Sequence, residues 1–413
     1  MTAGKNINPF FTYTDIPDEF FCDRDAETEK IIKHIQNGSN IVLKSPRRLG
    51  KSSLIKHLFK QKEISKEYNT LYVDIYGTKN ASDFQSAFAG SLLSAPFAKG
   101  TRLKKRAESL LNGGYVELGA VDPISGEVKL PRLGFSPSEI SIMSLREMFD
   151  FLSKTKKPNL IVFDEFQQIQ EYPERMAAIL RSFVQESANS HYIFSGSSRH
   201  MLTTMFQISN QPFYKSAVSM DLDIIPMQTY IDFCSRMFAR GHKKIEEDAV
   251  RFTYSLFSGE TYLMQLLMKE LYSMMPAGST ADIDDVKEAL LAILETKDID
   301  YKELIDRLDN QKERRTLFCI AAEGIGKELT SSWMMKKYNL DNASVVQNAL
   351  NNLGEERMNI IARLCKGTYV LQDRLFELWI AYKSGFLDRK FEAVPERFIE
   401  QREIDNALRL LDS

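Results

Sequence analysis

Cysteine is scarce in this chain. There are four in 413 residues, Cys22, Cys234, Cys319 and Cys365, and they show no ligand-like spacing. That excludes a disulfide scaffold and reads as four separate thiols in a reducing compartment. Net charge is scarce too. Lys plus Arg is 54 and Asp plus Glu is 56, a formal balance of −2, so no global field draws in nucleic-acid phosphates. With 43% hydrophobic residues, the same small imbalance excludes intrinsic disorder. Long apolar runs are missing: Leu160-Ile161-Val162-Phe163 is strand-length and ends at Asp164, far short of the roughly 20 residues a membrane helix needs. The stretch Met1 to Phe10 is polar and carries no signal-peptide core, so the expectation is a cytoplasmic protein with no membrane partner. No internal repeat recurs.

What is present is alternation. At about 150 residues per domain the length predicts two to three domains. In the first 225 residues short apolar runs predict strands at Ile41-Val42-Leu43, Leu71 to Ile75, Leu160 to Phe163 and Tyr192-Ile193-Phe194. Segments of helical period separate them: Ile31, Ile32 and Ile35; Leu54, Ile55, Leu58 and Phe59; Phe84, Phe88, Leu92 and Leu93; Leu145 to Leu152; and Glu174 to Glu186. Asp25 and Asp83 stand where helix caps are expected. Strands alternating with helices predict a mostly parallel α/β sheet. Residues 99–140 break the pattern: they open with Lys104-Lys105-Arg106, turn Gly-rich, alternate weakly around Gly126 to Leu130, and predict an insertion off the sheet. Residues 228–300 read as helical. Residues 311–385 read as three helices, then strands Ile360 to Leu364 and Tyr369 to Leu371 around Lys366-Gly367, the order of a winged helix.

Ser45-Pro46-Arg47-Arg48-Leu49-Gly50-Lys51-Ser52-Ser53 lies between a predicted strand and a predicted helix. It matches the phosphate-binding pattern G-x-x-x-x-G-K-[ST] except that Ser45 replaces the first Gly. Loop N–H groups and a helix N-terminus converge on phosphate. Gly50 permits close backbone approach, Lys51 would meet the β- and γ-phosphates, and the Ser52 hydroxyl would ligate Mg²⁺. The alternative is a chance Gly-Lys-Ser at a helix start, which the strand before and helix after argue against.

Leu160 to Phe163 ends in Asp164-Glu165, a Walker B arrangement: Asp164 would hold Mg²⁺ and Glu165 would act as general base toward water. The strand Tyr192-Ile193-Phe194 ends in Ser195-Gly196-Ser197-Ser198-Arg199. Here Ser197 or Ser195 would sense the γ-phosphate or orient water, or Ser197 or Ser198 would simply cap the next helix. No Asn/Thr-Lys-x-Asp guanine motif is present, which favours adenine.

These three strand ends together resemble the archaeal-type ATPase family, within the STAND branch close to AAA+ ATPases. The matching residues are Asn8-Pro9-Phe10, Asp23-Arg24-Asp25-Ala26-Glu27, Pro46 to Ser52, Phe163-Asp164-Glu165-Phe166-Gln167, Ser195 to Ser198, and Tyr369 to Asp373 through Trp379. The resemblance implies a P-loop NTPase core with a parallel sheet over 1–225, an all-helical lid over 226–303, a winged helix over 304–385 and a helical tail over 386–413. It implies ATP/ADP and Mg²⁺ as ligands, with Asp23 and Arg24 on the adenine side. Two family features differ. Pro212-Phe213-Tyr214-Lys215-Ser216 has Ser216 where the family carries an Arg, so Lys215 or Arg199 would have to supply the cation. Gly259-Glu260-Thr261 lacks the Pro of the lid motif.

The expected activity is a slow, Mg²⁺-dependent ATPase working as a nucleotide-controlled switch, with a protein partner or a second copy of the chain as the open partner class. The alternatives are a non-hydrolysing scaffold and an ATP-licensed DNA binder. For DNA, helix 342–353 has no Lys or Arg, so Gln347, Asn348 and Asn351 would read bases, and Lys336, Lys337, Arg363 and Lys366 would anchor phosphates.

Overall fold

The computed structural model describes residues 7–99, 115–117, 132–134, 145–173, 175–308, 310–354 and 357–391. They form two units: Pro9–Phe233 with Glu260–Gln265, and a second made of Ile7, Asn8, Cys234–Gly259 and the chain from Leu266 on.

The first unit runs α1 (Asp25–Gln36), β1 (Ile41–Lys44), α2 (Lys51–Lys60), α3 (Lys62–Ser65), β2 (Asn69–Asp74), α4 (Ala81–Ser94), β3 (Tyr115–Glu117), β4 (Arg132–Gly134), α5 (Leu145–Ser153), β5 (Asn159–Asp164), α6 (Met176–Glu186), β6 (Ser190–Gly196), α7 (Arg199–Gln207), β7 (Val218–Asp221) and the start of α8 (Met227–Arg240). The sheet is parallel, in the order β2-β5-β6-β1-β7. All four expected strands are in it. The fifth, β7, was not expected: four residues with one buried position carry too little alternation to announce a strand.

Side-chain alternation sorts the core into two layers. Ile41, Leu43, Leu160, Val162 and Ile193 pack with Ile31, Ile35, Leu54, Ile55 and Leu58 of α1 and α2. Val42, Ile161, Phe163, Tyr192 and Phe194 pack on the other face with Phe84, Phe88, Phe149, Leu180 and Phe206. Because every strand runs the same way, the chain ends of β1, β5 and β6 share one edge, where α/β sheets bind ligands. Continuing the alternation puts Ser45, Asp164 and Ser195 on the α1/α2 face of that edge. Tyr72 of β2 lies on that face as well.

Two expected caps are different residues. Arg24, in a left-handed conformation, precedes α1 and makes no side-chain cap. Asn80 caps α4, accepting from the Asp83 N–H, while the Asp83 carboxylate accepts from the Lys79 N–H. A 3₁₀ helix, Phe166–Glu171, follows β5; it was hidden because Phe166-Gln167-Gln168-Ile169 is too short to show a period. Most of 99–140, including Lys104 to Arg106 and Gly126 to Leu130, lies outside the described residues; of the part that is described, β3 and β4 form an antiparallel pair.

In the second unit come β8 (Lys244–Ile245), α9 (Glu247–Leu256), the part of α10 (Thr261–Met274) from Leu266 on, β9 (Thr280–Ala281), α11 (Ile283–Thr296) and α12 (Asp298–Asp306). This segment is therefore not all helical: β8 and β9 pair in parallel, and two-residue strands leave no pattern in a sequence. Then follow α13 (Gln311–Glu323), β10 (Gly326–Lys327), α14 (Ser332–Lys337), α15 (Ala343–Leu353), β11 (Ile361–Cys365), β12 (Thr368–Leu371), α16 (Arg374–Lys383) and α17 (Leu387–Phe391). The antiparallel sheet β10-β12-β11 completes the expected winged helix. Of the tail, residues 392–413 lie outside the described residues. No described helix is long and apolar enough to cross a membrane.

Candidate active site

The loop after β1 holds two left-handed residues, Arg48 (φ +67°) and Gly50 (φ +86°). A Cβ on Gly50 would meet nothing within 4 Å, so glycine is needed there for its backbone angle. Ser45 is fully buried and has no such angle. Its N–H donates to the Gly196 carbonyl at 3.2 Å, so a small residue with ordinary backbone suffices where the motif has Gly. Pro46 and Arg47 are exposed, and the Arg47 guanidinium lies over the Tyr76 ring at 5.8 Å.

Lys51 opens α2 and is buried. Its ammonium lies 3.2 Å from Asp164 Oδ1 and 3.2 Å from Glu165 Oε1. Burial alone would lower its pKa, but Asp164 and Glu165 outweigh that and hold it above the usual lysine value. Burial would likewise raise the Asp164 carboxyl. The Lys51 ammonium, and then a hydrogen bond from Tyr72, reverse this and hold it below the ordinary carboxylate range. Ser52 Oγ donates to Asp164 Oδ2 at 3.1 Å, and the Tyr72 hydroxyl donates to the same oxygen. Ser53, next along α2, is partly buried.

Glu165 is left-handed (φ 57°, ψ 40°), a conformation non-glycine residues keep only when their surroundings enforce it. Phe166 behind it is buried against Phe194, with ring centroids 4.5 Å apart, and against Phe213 at 5.2 Å. Ahead of it the Glu165 N–H donates to Asp164 Oδ1 at 3.1 Å. Glu165 Oε2 accepts from Ser197 Oγ at 2.7 Å and from Gln167 Nε2. Of the adjacent serines, Ser198 caps α7, accepting from the Met201 N–H, while Ser197 turns to Glu165.

The model of a family described as an ATPase domain predominantly from Archaea matches residues 21–267, more than half of the chain. The chain belongs to this family. A probable winged helix domain matches residues 299–382 of this family member. Three solved structures share the fold. The Walker-type ATPase PABY2304 of Pyrococcus abyssi is 18% identical with a TM-score of 0.58, covering 90% of this chain and 99% of its own. The Aeropyrum pernix ORC2 protein in its ADPNP-ADP complexes is 14% identical with a TM-score of 0.51, covering 94% of each chain. The Aeropyrum pernix ORC1 protein in complex with DNA is 14% identical with a TM-score of 0.50, covering 92% of this chain and 97% of its own. No curated protein matches this ATPase-family chain.

Of the sequence candidates, Lys51, Ser52, Asp164, Glu165 and Ser197 come together. Arg199 is turned to the end of β7, 2.9 Å from Asp223 Oδ1 and 3.7 Å from Asp221 Oδ1. Arg24 is buried; it donates to the Asp223 carbonyl at 2.6 Å and contacts the Leu49 carbonyl at 3.5 Å and Glu27 at 2.7 Å. It therefore faces protein oxygens, and Asp23 beside it is also left-handed at φ 62°. Lys215 and Ser216 precede β7, and the Ser216 carbonyl accepts from Asn40 just before β1. They stand at the edge of the sheet opposite Lys51, a strand's length away. Three features had no sequence signal of their own: the Tyr72 hydroxyl at Asp164, the contact of Gln167 with Ser197, and the pairing of Arg48 with Glu260 at 3.5 Å. Each depends on a contact between distant segments.

Proposed function

We propose that the chain binds ATP with Mg²⁺ and hydrolyses it slowly to ADP and phosphate, as a nucleotide-controlled switch. The observation that carries this is the meeting of Lys51 and Ser52, at the start of α2, with Asp164 and Glu165, at the end of β5. The Ser52 hydroxyl and the Asp164 carboxylate are hard oxygen donors 3.1 Å apart, which suits Mg²⁺ completed by phosphate oxygens and water. When bound, the cation would offset charge on those phosphates. Lys51, buried and charged, would exchange its carboxylate partners for phosphate oxygens. Glu165 would take the proton from water as the water oxygen bonds the γ-phosphorus and the bridging oxygen leaves with ADP. Slow turnover fits the cations available: Arg199 is engaged by two aspartates, and Ser216 stands where the family has Arg.

Phosphate release from the wild type, Lys51→Ala and Glu165→Gln tests the assignment. The expected result is release lost in both variants, with ATP affinity lost only in Lys51→Ala. Equal rates in all three would overturn it.

ATP-licensed duplex binding is the second reading, favoured by exposed Arg363 on β11, exposed Lys366 in the turn between β11 and β12, and exposed Gln347, Asn348 and Asn351 on α15. Lys337 is held by Glu323 at 2.6 Å, leaving Lys336, Arg363 and Lys366 as the phosphate anchors. Three anchors predict a plot of log affinity against log salt with a slope of roughly −2.7. Fluorescence anisotropy with a labelled duplex and ATP checks it, and no binding at low salt removes this reading.

A further inference from the structure

The two oxygens of Glu165 are held differently. Oε1 faces the Lys51 ammonium at 3.2 Å. Oε2 takes three donors from the chain itself: Ser197 Oγ at 2.7 Å, the Ser197 N–H at 3.4 Å, and Gln167 Nε2. Gln167 is buried and also donates to Ser197 Oγ at 3.3 Å. Its amide is therefore oriented by both acceptors. It lies against Gly196, where a Cβ would stand 2.0 Å from Gln167 Oε1 and 3.0 Å from Leu202 Cδ1. Gly196 has no positive φ, so glycine is needed there for space and not for its backbone angle. The space is occupied by the Gln167 amide.

We propose that Gln167 is a positioning residue for Glu165: with Ser197 it anchors Oε2, so that Oε1 is the oxygen that accepts the proton of water once Lys51 moves to phosphate. This rests on Glu165 being the base. The carboxylate then needs no search for its orientation, because one oxygen stays fixed while the other exchanges partners. Gly196 is part of the same device, since any side chain there would displace the amide.

The test is steady-state phosphate release by the full chain with Mg²⁺ and varied ATP. Gln167→Met keeps the volume and removes the donors. A hydrogen bond to a charged group is worth enough to give a fall of about 10- to 100-fold in kcat. KM, affinity for a non-hydrolysable ATP analogue and melting temperature stay at wild-type values. Gly196→Ala lowers kcat in the wild-type background and changes it less than about threefold in Gln167→Ala, because the two substitutions disturb one contact. A kcat for Gln167→Met within about twofold of wild type overturns the proposal, as does a loss carried by KM or by melting temperature. So does an equal cost of Gly196→Ala in both backgrounds. Glu165→Gln separates the two failures. If it turns over normally, the base assignment is wrong; if it is inactive while Gln167→Met is not, only the role of Gln167 is.

Discussion

At the scale of single residues the loop after β1 separates two demands that its motif merges. Gly50 sits at φ +86° and Ser45 does not have a positive φ. Gly50→Ala is therefore expected to lose about 1–2 kcal/mol, the cost of a left-handed alanine. Ser45→Gly is expected to stay within about 1 kcal/mol of wild type, its effect coming from the freer unfolded chain. Urea unfolding of both variants checks the contrast. The same loop shows what a sequence does and does not display. Lys51, Ser52, Asp164 and Glu165 were legible because each occupies a fixed place at the end of a recognisable element. Tyr72 was not, since nothing beside it in the chain says that its hydroxyl will meet Asp164, 92 positions later. Arg24 was legible as a residue but not in its contacts, because its partners Leu49 and Asp223 are set by the folded chain.

At the scale of elements, β6 delivers two neighbouring serines to different tasks. Ser198 Oγ accepts from the Met201 N–H at 3.4 Å at the start of α7, so Ser198→Ala is expected to cost about 1 kcal/mol of stability, the usual worth of a helix cap. Its phosphate release should not change. Ser197→Ala removes a bond to Glu165 and is expected to do the reverse, slowing release with little change in melting. Measuring both properties in both variants distinguishes cap from site. Elements with a clear apolar pattern were read correctly: α1 and α2 each present an apolar face to one core layer, and β5 is apolar on both faces. Those that were missed, among them α3, β7, β8, β9, β10 and the 3₁₀ helix after Glu165, are six residues or fewer. They owe their shape to neighbours more than to their own pattern. β7 takes its place through pairing with β1, Val218 opposite Ile41 and Asp221 opposite Lys44.

At the scale of the molecule, the buried charges link stability to pH. Asp164 is held below the ordinary carboxylate range in the fold. Its contribution is present above the unfolded value, about pH 4, and is lost as pH falls through the lower folded value. Lys51 is raised; its contribution is intact below the unfolded lysine value and fades as pH rises through the folded one. The nucleotide-free protein should therefore lose stability at both extremes. Asp164→Asn should flatten the acid limb of urea-unfolding free energy measured from pH 3 to 7. An unchanged limb would show that other carboxylates govern acid unfolding.

Asp223 follows β7, just before the chain turns into α8. Its carbonyl is gripped by Arg24, which also reaches Leu49 of the loop after β1, and its carboxylate is gripped by Arg199. The point where the chain leaves the sheet is thus moored to the loop after β1. A displacement of the chain at Asp223 would therefore be felt in three places at once: at Arg199, at the backbone beside Gly50 through Arg24, and at the end of β1, where the Leu222 N–H donates to the Lys44 carbonyl at 2.8 Å.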